Sequence, residues 1–396
     1  MQEQHVRHTP ASLGTQPVPI EPCVSLTYFE QERERLFRRV WLNIGRVEDI
    51  PNTGDYFVKE LTICRTAVLV VRSTDGRIRA FHNMCSHRGN KLAWDTHGTC
   101  RRLTCKFHGW SYGLDGQLRF VPDEDRFFDL DTDKLGLTPV TLDIWEGFLF
   151  VHIDPHPGET LDAFLGEFGR QLRGYPFHSM SSCYRYATQV NCNWKVALDA
   201  FQEIYHVPVL HRRTIGDTFS GPENPFSHAL TIKLYPRHRM MSLYGNPSHQ
   251  PSPVESLAYR FGSVVTQGRI AEDHLPLGVN PTRSPQWAFD LNVVFPNFSV
   301  DVSAGTYVTH HFWPLTANRT LWEACLYCPP TTRAGQRFSQ EVSRCVLRDT
   351  LLEDGSTLEA TQAMLATGIR THFNLNDEEV LVRHSHKAID EYVSDG

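Results

Sequence analysis

The sequence predicts an α+β protein with two parts, an all-β module followed by a domain that combines an antiparallel sheet with a long C-terminal helix. From Trp41 to about Pro155, short β-type runs are separated by Gly, Asp and Asn turns. From Ala288 onward, strand-like runs and turns continue, and a helical pattern then spans Thr332 to about Gly368. At 396 residues, the chain also exceeds the size of one ordinary hydrophobic core.

Three segments follow from these patterns. Residues 1–39 are predicted to form an arm and a first helix that join the second domain, residues 40–155 the all-β module, and residues 156–396 the second domain. Within the last segment, apolar residues at helical spacing predict a helix from Asn193 to Tyr205, which Pro208 prevents from continuing. Residues 212–285 show weak periodicity, which indicates long connections that cover a pocket.

The composition is that of an ordinary globular protein, and it excludes several functional classes. The formal charge of −6 has no long basic block, so it gives no footprint for nucleic acid or for an anionic membrane. The N-terminus lacks the apolar core of a signal peptide, and no later stretch has the length of a membrane helix. We therefore expect a cytoplasmic protein. Ten scattered Cys do not suggest a disulfide scaffold there.

Two Cys and two His form the first constellation. Cys85-Ser86-His87 is followed, after 17 residues, by Cys105-Lys106-Phe107-His108, with Gly close behind each pair. Such a set suits a tetrahedral zinc ion, or a [2Fe–2S] cluster with two thiolates on one iron and two imidazoles on the other. The flanking His87-Arg88-Gly89 and His108-Gly109-Trp110-Ser111-Tyr112 resemble the two loops of Rieske clusters, in which Gly permits tight turns and backbone amides reach the sulfur atoms. This resemblance favours the cluster.

Two further His and a carboxylate form the second constellation. Glu203, His206 and His211 follow the predicted helix, and Asp199 lies one turn before Glu203 on the same stripe. Two imidazoles and one carboxylate on one face of Fe(II) leave positions open for O₂ and substrate. The third ligand could be Glu203 or an acid of the C-terminal helical segment 351–362, and the spacing alone does not decide between them.

Other residues have simpler interpretations. Phe201, Leu210, Phe289, Val293 and Phe295 are candidates to line an apolar pocket, although apolar residues in strands and helices usually belong to the core. His310 and His311 are predicted to face opposite sides of a strand. Cys325 and Cys328 form a CxxC, which is interpreted as strand packing because the pattern alternates. These residues are left out of the predicted sites.

Taken together, CxHRG, CxxHGWSY, NWK, and ExYH with a second His five residues later resemble the α-subunit family of Rieske non-haem iron oxygenases over nearly the whole chain. The family places its last iron ligand, an Asp, eight residues before a Gln in a helix, and this position falls on Asp354 before Gln362. The resemblance therefore implies a Rieske cluster on Cys85, His87, Cys105 and His108. It also implies an iron site on His206, His211 and Asp354, and a helix-grip fold for the second domain.

The resemblance gives Glu203 a different role, because the family uses a carboxylate there to join His206 to a cluster His of a neighbouring subunit, matching His108. It thus implies a homotrimer, and it leaves open whether a small β-subunit joins. Electrons would come from NAD(P)H through a ferredoxin, a flavin reductase or both. Two departures stand out: Ala200 replaces a common Asn, and Glu203 stands where ring dioxygenases often have Asp.

The expected function is that of a terminal oxygenase which activates O₂ at Fe(II) and adds one or two hydroxyl groups to an apolar, aromatic or cyclic substrate. An oxidative demethylase or dealkylase is the alternative, and the departures at Ala200 and Glu203 recur in members that hydroxylate or dealkylate. A stand-alone Rieske electron carrier and a zinc hydrolase are further alternatives. A stand-alone electron carrier would not need the long chain that follows the cluster residues.

Overall fold

A computed structural model describes residues 7–267 and 275–394. The chain forms two compact units, one of residues 33–164 and one of residues 1–32 together with 165–396. The first six residues of the predicted arm, part of the predicted connections (268–274) and the last two residues lie outside the described ranges. No helix in those ranges combines the length and the apolar composition that crossing a lipid bilayer requires.

The unit of residues 33–164 is built from two antiparallel sheets. The larger sheet has the strand order Leu42–Arg46, Phe148–His152, Pro139–Trp145, Ile78–His82, Thr66–Arg72, Asp55–Leu61 and His97–Thr99. The smaller sheet contains Leu103–Thr104, Ser111–Tyr112 and Leu118–Phe120. Leu69, Phe81, Trp110 and Tyr112 belong to one buried cluster that also contains Cys85 and Cys105. The core of this unit therefore surrounds the two cysteines.

The second unit contains a seven-stranded antiparallel sheet. Its strands follow the order Ser182–Val190, Arg319–Cys328, Tyr307–Thr316, Phe298–Ser303, Trp287–Val294, Arg239–Tyr244 and Thr231–Leu234. The β-type pattern of residues 292–302 predicts one strand, but the structure divides this run between two. The chain turns back at 295–297, so that Val294 pairs with Phe298. Pro296 cannot donate a ladder hydrogen bond, which explains the turn.

The helices of this unit include one very long member. Their bounds are Leu26–Gln31, Trp194–Asp199, Val207–Leu210, Gly216–Phe219, Pro253–Phe261, Ala334–Leu365 and Val380–Ser394, and helix Leu161–Leu172, kinked at Gly166, spans the boundary of the two units. A π-helical turn, Glu32–Phe37, extends the first helix.

The buried positions of Ala334–Leu365 recur every three or four residues through Ser343, Leu347, Leu351, Asp354 and Leu358. This spacing places Asp354 on the buried stripe of the helix. The predicted α+β class, with an all-β unit and a sheet that holds a long C-terminal helix, is confirmed.

The predicted helix Asn193–Tyr205 is shorter than expected. It spans Trp194–Asp199, and a short helix then begins at Val207, with Pro208 in its first turn rather than after its end. The carboxylate of Glu203 accepts a hydrogen bond from the backbone N–H of His206 at 3.1 Å. A side chain therefore satisfies a donor that a continuous helix would pair with a carbonyl, and 200–206 form turns instead.

The NWK motif anchors this segment. Asn193 caps the helix by accepting the N–H of Lys195, and its own N–H donates to the side chain of Gln362 at 2.8 Å. The buried Glu32 accepts the indole N–H of Trp194 at 3.1 Å and pairs with the Lys195 ammonium. Through Gln362, two turns after Asp354, the long helix is thus tied to the segment that leads to His206.

Candidate metal centres and substrate pocket

The two Cys–His loops of the first unit have the same backbone structure. In each loop the Cys N–H donates to the carbonyl five residues later at 2.9 Å, Asn90 for Cys85 and Trp110 for Cys105. The N–H four residues after each Cys belongs to Gly89 or Gly109 and donates to the Cys carbonyl at 3.0 Å. Both Gly have a φ of +74°, a conformation that L side chains rarely adopt. The two Gly therefore allow the matched turns.

The donor atoms of these loops suit a cluster with buried sulfur and accessible nitrogen. The two Cys are buried, whereas His87 is half-buried and His108 is exposed. The imidazoles are 4.7 Å apart, centroid to centroid. Cys85 Sγ lies 3.1 Å from the Tyr112 hydroxyl. Burial alone would raise the pKa of the Cys105 thiol, but hydrogen bonds, including one from the Phe107 N–H, lower this pKa below its ordinary value. Hydrogen-bonded thiolates of this kind suit an iron–sulfur cluster.

These four side chains do not surround one point closely. Among the described residues, His206, His211 and Asp354 are the one group of His, Cys, Asp or Glu whose ligand atoms all lie within 4.8 Å of one another. A tetrahedral zinc site would require similarly close spacing of Cys85, His87, Cys105 and His108. The wider set therefore favours a two-iron cluster over zinc.

The second centre brings together residues from three segments. His206 precedes the helix Val207–Leu210, His211 follows it, and Asp354 comes from the long helix. The two Nε2 atoms are 3.2 Å apart, and Asp354 Oδ1 lies 3.1 Å from His211 Nε2 and 3.7 Å from His206 Nε2. Separations of about 3 Å are those of neighbouring ligands on one small metal ion. The short helix thus turns the two imidazoles toward the same point.

A carboxylate holds the outer nitrogen of each imidazole. Glu203 accepts from His206 Nδ1, and Glu353 accepts from His211 Nδ1 at 2.9 Å. The Thr214 hydroxyl donates to the same Glu353 oxygen at 2.6 Å. A proton on Nδ1 of a neutral imidazole leaves the lone pair on Nε2. Both rings are therefore held in the tautomer that a metal ligand needs.

The inner side of this centre is suited to a cation. Asp354 Oδ1 is buried and, among the described residues, accepts no hydrogen bond. Burial raises the pKa of the Asp354 carboxyl, which shows the cost of ionising it without a cation. Three acceptor atoms converge there without a donor between them, a costly arrangement unless an ion fills it. His206, His211 and Asp354 consequently fit the ferrous ion that the sequence predicts.

An apolar cavity of about 130 Å³ adjoins the centre. The three candidate ligands, Glu203 and Ala200 contribute to its wall, together with Phe201, Phe219, Phe289, Leu243, Ile215 and Val308. Of the predicted pocket residues, Phe201 and Phe289 line it, whereas Leu210, Val293 and Phe295 do not. Water finds few hydrogen-bond partners along such an apolar wall, so the cavity favours carbon-rich substrates.

Asp199, which lies on the same predicted stripe as Glu203, is not part of the centre, and three residues outside the predicted sites adjoin the centre or its cavity. The Asp199 carboxylate instead bonds to His386 at 2.8 Å and to Gln202. Glu353 was seen only as one acid of segment 351–362, although it orients His211. Asp301 and His310 line the cavity, but each lies in an alternating strand pattern that gives no sign of it. The adjacency of Glu353 to Asp354 was the one usable signal.

Replacing Glu353 by Gln should weaken iron binding without affecting the cluster. The amide carries no charge and holds the Nδ1 proton of His211 less firmly, so iron affinity should fall roughly 10- to 100-fold. Iron retention against a competing chelator measures this, with the visible spectrum of the cluster as internal reference. Glu341→Gln, at an exposed position of the same helix, is the control. If Glu353→Gln retained as much iron as Glu341→Gln, Glu353 would not support the iron site.

Comparison with known families agrees with this geometry. Residues 40–139 match the model of the Rieske [2Fe-2S] domain, and residues 177–395 match that of the ring hydroxylating alpha subunit, catalytic domain. The second match covers more than half of the chain. This chain therefore belongs to the Rieske-type ring-hydroxylating oxygenase α-subunit family. The cofactors of that family are those predicted from the sequence, a Rieske [2Fe–2S] cluster and a mononuclear iron.

Individual proteins match this chain over about half of its length. The chain is similar to the carnitine monooxygenase oxygenase subunit of Escherichia coli K12, with 32% identity over 209 residues, 52% of each chain. It is 31% identical over 178 residues to the glycine betaine monooxygenase oxygenase subunit of Pseudomonas aeruginosa UCBPP-PA14, 45% of this chain and 41% of that one. The matches thus span about half the length of these relatives, or less.

A solved structure shows that the fold extends further than these sequence matches. Naphthalene 1,2-dioxygenase from Rhodococcus sp. superposes with a TM-score of 0.76 at 19% identity, over 96% of this chain and 95% of that chain. At this identity the likeness concerns the fold alone.

Proposed function

We propose that this protein is the terminal oxygenase component of a Rieske-type system that oxidises a small organic substrate with O₂. The observation that carries the proposal is the convergence of His206, His211 and Asp354 beside an apolar cavity, in a chain that also contains the Cys–His loops. A stand-alone electron carrier has no use for such a centre. A zinc hydrolase does not account for the first unit.

The chain's own residues have distinct tasks in this proposal. His206, His211 and Asp354 hold the ferrous ion, and Glu203 and Glu353 keep the proton on the outer nitrogen of each imidazole. A ferrous ion held by three protein ligands supplies open positions for O₂ and for its reduction. The apolar wall excludes water and orients the substrate, and the small Ala200 leaves space next to the centre.

The first candidate reaction is oxidation of a quaternary ammonium compound, which agrees with the activities for which the relatives are named. One oxygen atom enters a C–H bond next to nitrogen, and the other leaves as water with two electrons from NAD(P)H and two protons. The resulting carbinol breaks its C–N bond, so that the amine keeps the bonding electron pair and an aldehyde and a proton are released. This is the dealkylation alternative of the sequence analysis.

The second candidate is hydroxylation of an apolar, aromatic or cyclic compound. The apolar wall of the cavity favours it, since Phe201, Phe219 and Phe289 offer ring faces and edges to a flat substrate. One or two oxygen atoms would then enter the substrate. Oxidation next to nitrogen remains the first candidate because sequence relatives share more with this chain than a fold.

We also propose that electrons pass between subunits of a homotrimer. Glu203 lines an open groove together with the exposed Tyr205, Val209 and Phe226, and its carboxylate holds His206. In the first unit, the exposed His108 lies in a region with exposed apolar side chains, among them Phe107 and Trp94. A second copy that places such a surface in the groove would bring its His108 to Glu203.

The remaining assignments follow the same scheme. Cys85, His87, Cys105 and His108 hold the cluster, within residues 40–155, and the iron belongs to residues 156–396 together with the arm 1–39. A ferredoxin or flavin reductase delivers the electrons.

The test is a reconstituted assay with a surrogate ferredoxin and reductase, NADH and ¹⁸O₂. It uses a panel of quaternary ammonium and aromatic compounds and analyses products by mass. O₂-dependent formation of an aldehyde and a dealkylated amine, or incorporation of ¹⁸O into a hydroxylated product, supports the proposal when about three iron atoms per chain are present. A colourless protein, or one that holds the cluster without further iron and takes up no O₂ with any compound, contradicts it.

A further inference from the structure

The apolar cavity contains one acid, Asp301, that lies outside the iron centre; its carboxylate accepts hydrogen bonds from the Ser299 side chain and the Asn292 backbone N–H. Asp301 lies on the strand Phe298–Ser303, pairs with Val308 on the next strand, and lines the cavity. His310, two residues beyond Val308, lies on the same face of the sheet and also lines the cavity. The Asp301 side chain is 12% exposed. It is therefore an acid placed at a binding surface.

The carboxylate lacks a cationic partner. Its nearest charged or titratable contact is His310 Nε2, 3.5 Å from Oδ2, and its Oδ1 accepts no hydrogen bond within the described ranges. The indole N–H of Trp322 donates to His310 Nδ1 at 3.2 Å, which leaves the ring proton on Nε2 toward Asp301. Burial lowers the pKa of His310 to about 3, so this imidazole is neutral and offers a dipole rather than a charge.

The surroundings also lack a protein cation that could serve instead. In the described lining of the cavity there is no Lys and no Arg. There are aromatic faces, however: Phe201 lies 4.9 Å from the His310 ring and 4.8 Å from Trp322, centroid to centroid. Aromatic faces together with an unpaired carboxylate are what a quaternary ammonium group binds. A neutral hydrocarbon offers no charge that would favour the ionised form of this buried acid.

We propose that Asp301 is the counter-ion for an alkylammonium group of the substrate, with His310 as the positioning residue that orients its carboxylate. This proposal rests on the proposed oxygenase function and selects between its two substrate classes. The cation would sit among the aromatic side chains of the cavity, with a carbon next to its nitrogen presented to the iron centre. Asp301 thereby determines specificity and takes no part in the oxidation.

The experiment uses the iron-loaded protein and two matched pairs of probes. Choline is compared with 3,3-dimethylbutan-1-ol, and glycine betaine with 3,3-dimethylbutanoate, because each pair differs by the replacement of N⁺ with carbon. Dissociation constants are measured by calorimetry without reductant. We expect the cation of at least one pair to bind more tightly than its isostere. Asp301→Asn should reduce that preference by at least about 30-fold.

Two further variants separate recognition from folding. Asp301→Glu keeps the charge and should retain the preference for the cation, whereas Asp349→Asn, at an exposed position, should behave as the wild type. The proposal is overturned if the wild type prefers neither cation, or if Asp301→Asn keeps the full preference with its cluster spectrum and iron content intact. In that second case O₂-dependent formation of a dealkylated or hydroxylated product still supports the oxygenase function. Absence of iron would instead count against the function itself.

A pH profile gives a second readout. Burial raises the pKa of Asp301 to about 8, and a bound cation favours the ionised form. Cation affinity should therefore rise from pH 6 to pH 9 in the wild type and stay flat in Asp301→Asn. The other titratable groups of the cavity are Glu203, His206, His211, Tyr307, His310 and Asp354. Because both proteins share them, the difference between the two profiles isolates Asp301. A profile that persists in Asp301→Asn would contradict the assignment.

Discussion

Asp354→Asn should retain the colour of the iron–sulfur cluster and lose the mononuclear iron, with product formation reduced about 1,000-fold. An amide offers a neutral, weaker donor in place of the carboxylate that completes the set with His206 and His211. The metal contributes several kcal/mol of stabilisation to the reaction, and each 1.4 kcal/mol corresponds to a factor of ten in rate. Iron analysis should fall from about three to about two atoms per chain.

The control for this variant is Asp349→Asn, on the same helix and half exposed to solvent. It removes the same charge without touching the centre, and it should keep both the iron and the activity. Thermal unfolding of all three proteins shows whether the loss is local. Burial raises the pKa of Asp354, so its charge is costly in the absence of a cation. We therefore expect the neutral Asn not to destabilise the fold. If Asp354→Asn retained a third iron atom and full turnover, Asp354 would not be a ligand.

Glu203→Gln should slow electron transfer even in protein whose two metal centres are both loaded with iron. Glutamine can still accept a hydrogen bond from Nδ1 of His206. It lacks the negative charge that we place between His206 and the neighbouring subunit's cluster. Turnover should fall roughly 10- to 100-fold, the usual effect of a residue that supports a metal ligand. In stopped-flow experiments, the pre-reduced cluster should reoxidise more slowly when O₂ and substrate are added.

Two comparisons make this result specific. Glu223→Gln, an exposed acid in the same unit, should reoxidise at the wild-type rate. Mixed trimers of Glu203→Gln, which keeps its cluster, and Cys85→Ala, which lacks it, should regain activity. The active sites should be those at which a Cys85→Ala subunit, with its intact Glu203, meets the cluster of a Glu203→Gln neighbour. Wild-type reoxidation in Glu203→Gln would exclude the proposed path through this carboxylate.

Motifs with fixed local spacing were predictable from the sequence. The Cys–His loops repeat one backbone pattern that depends on Gly89 and Gly109, so the motif specifies the structure. The long helix was visible because its buried positions recur at helical spacing from Ser339 to Gln362. The family resemblance then supplied Asp354, which local spacing could not choose from among the acids of segment 351–362.

Features that depend on distant contacts were not predictable. The helix before His206 ends early because the Glu203 side chain bonds to a backbone N–H, a competition that apolar periodicity does not record. Asp301 and His310 belong to the cavity because of the register between two strands, and a register is a property of the pair. Asp199 had the right spacing for the site, but it turns to His386, which is 187 residues away.

The account depends most on one Fe(II) ion held by His206, His211 and Asp354. A crystal of the anaerobically purified protein, measured above and below the iron absorption edge, tests it directly. We predict one anomalous peak in contact with the two Nε2 atoms and the Asp354 carboxylate, separate from the peak of the cluster at Cys85 and Cys105. An iron-replete crystal in which that position is empty, or in which the second peak lies at other residues, would contradict the account.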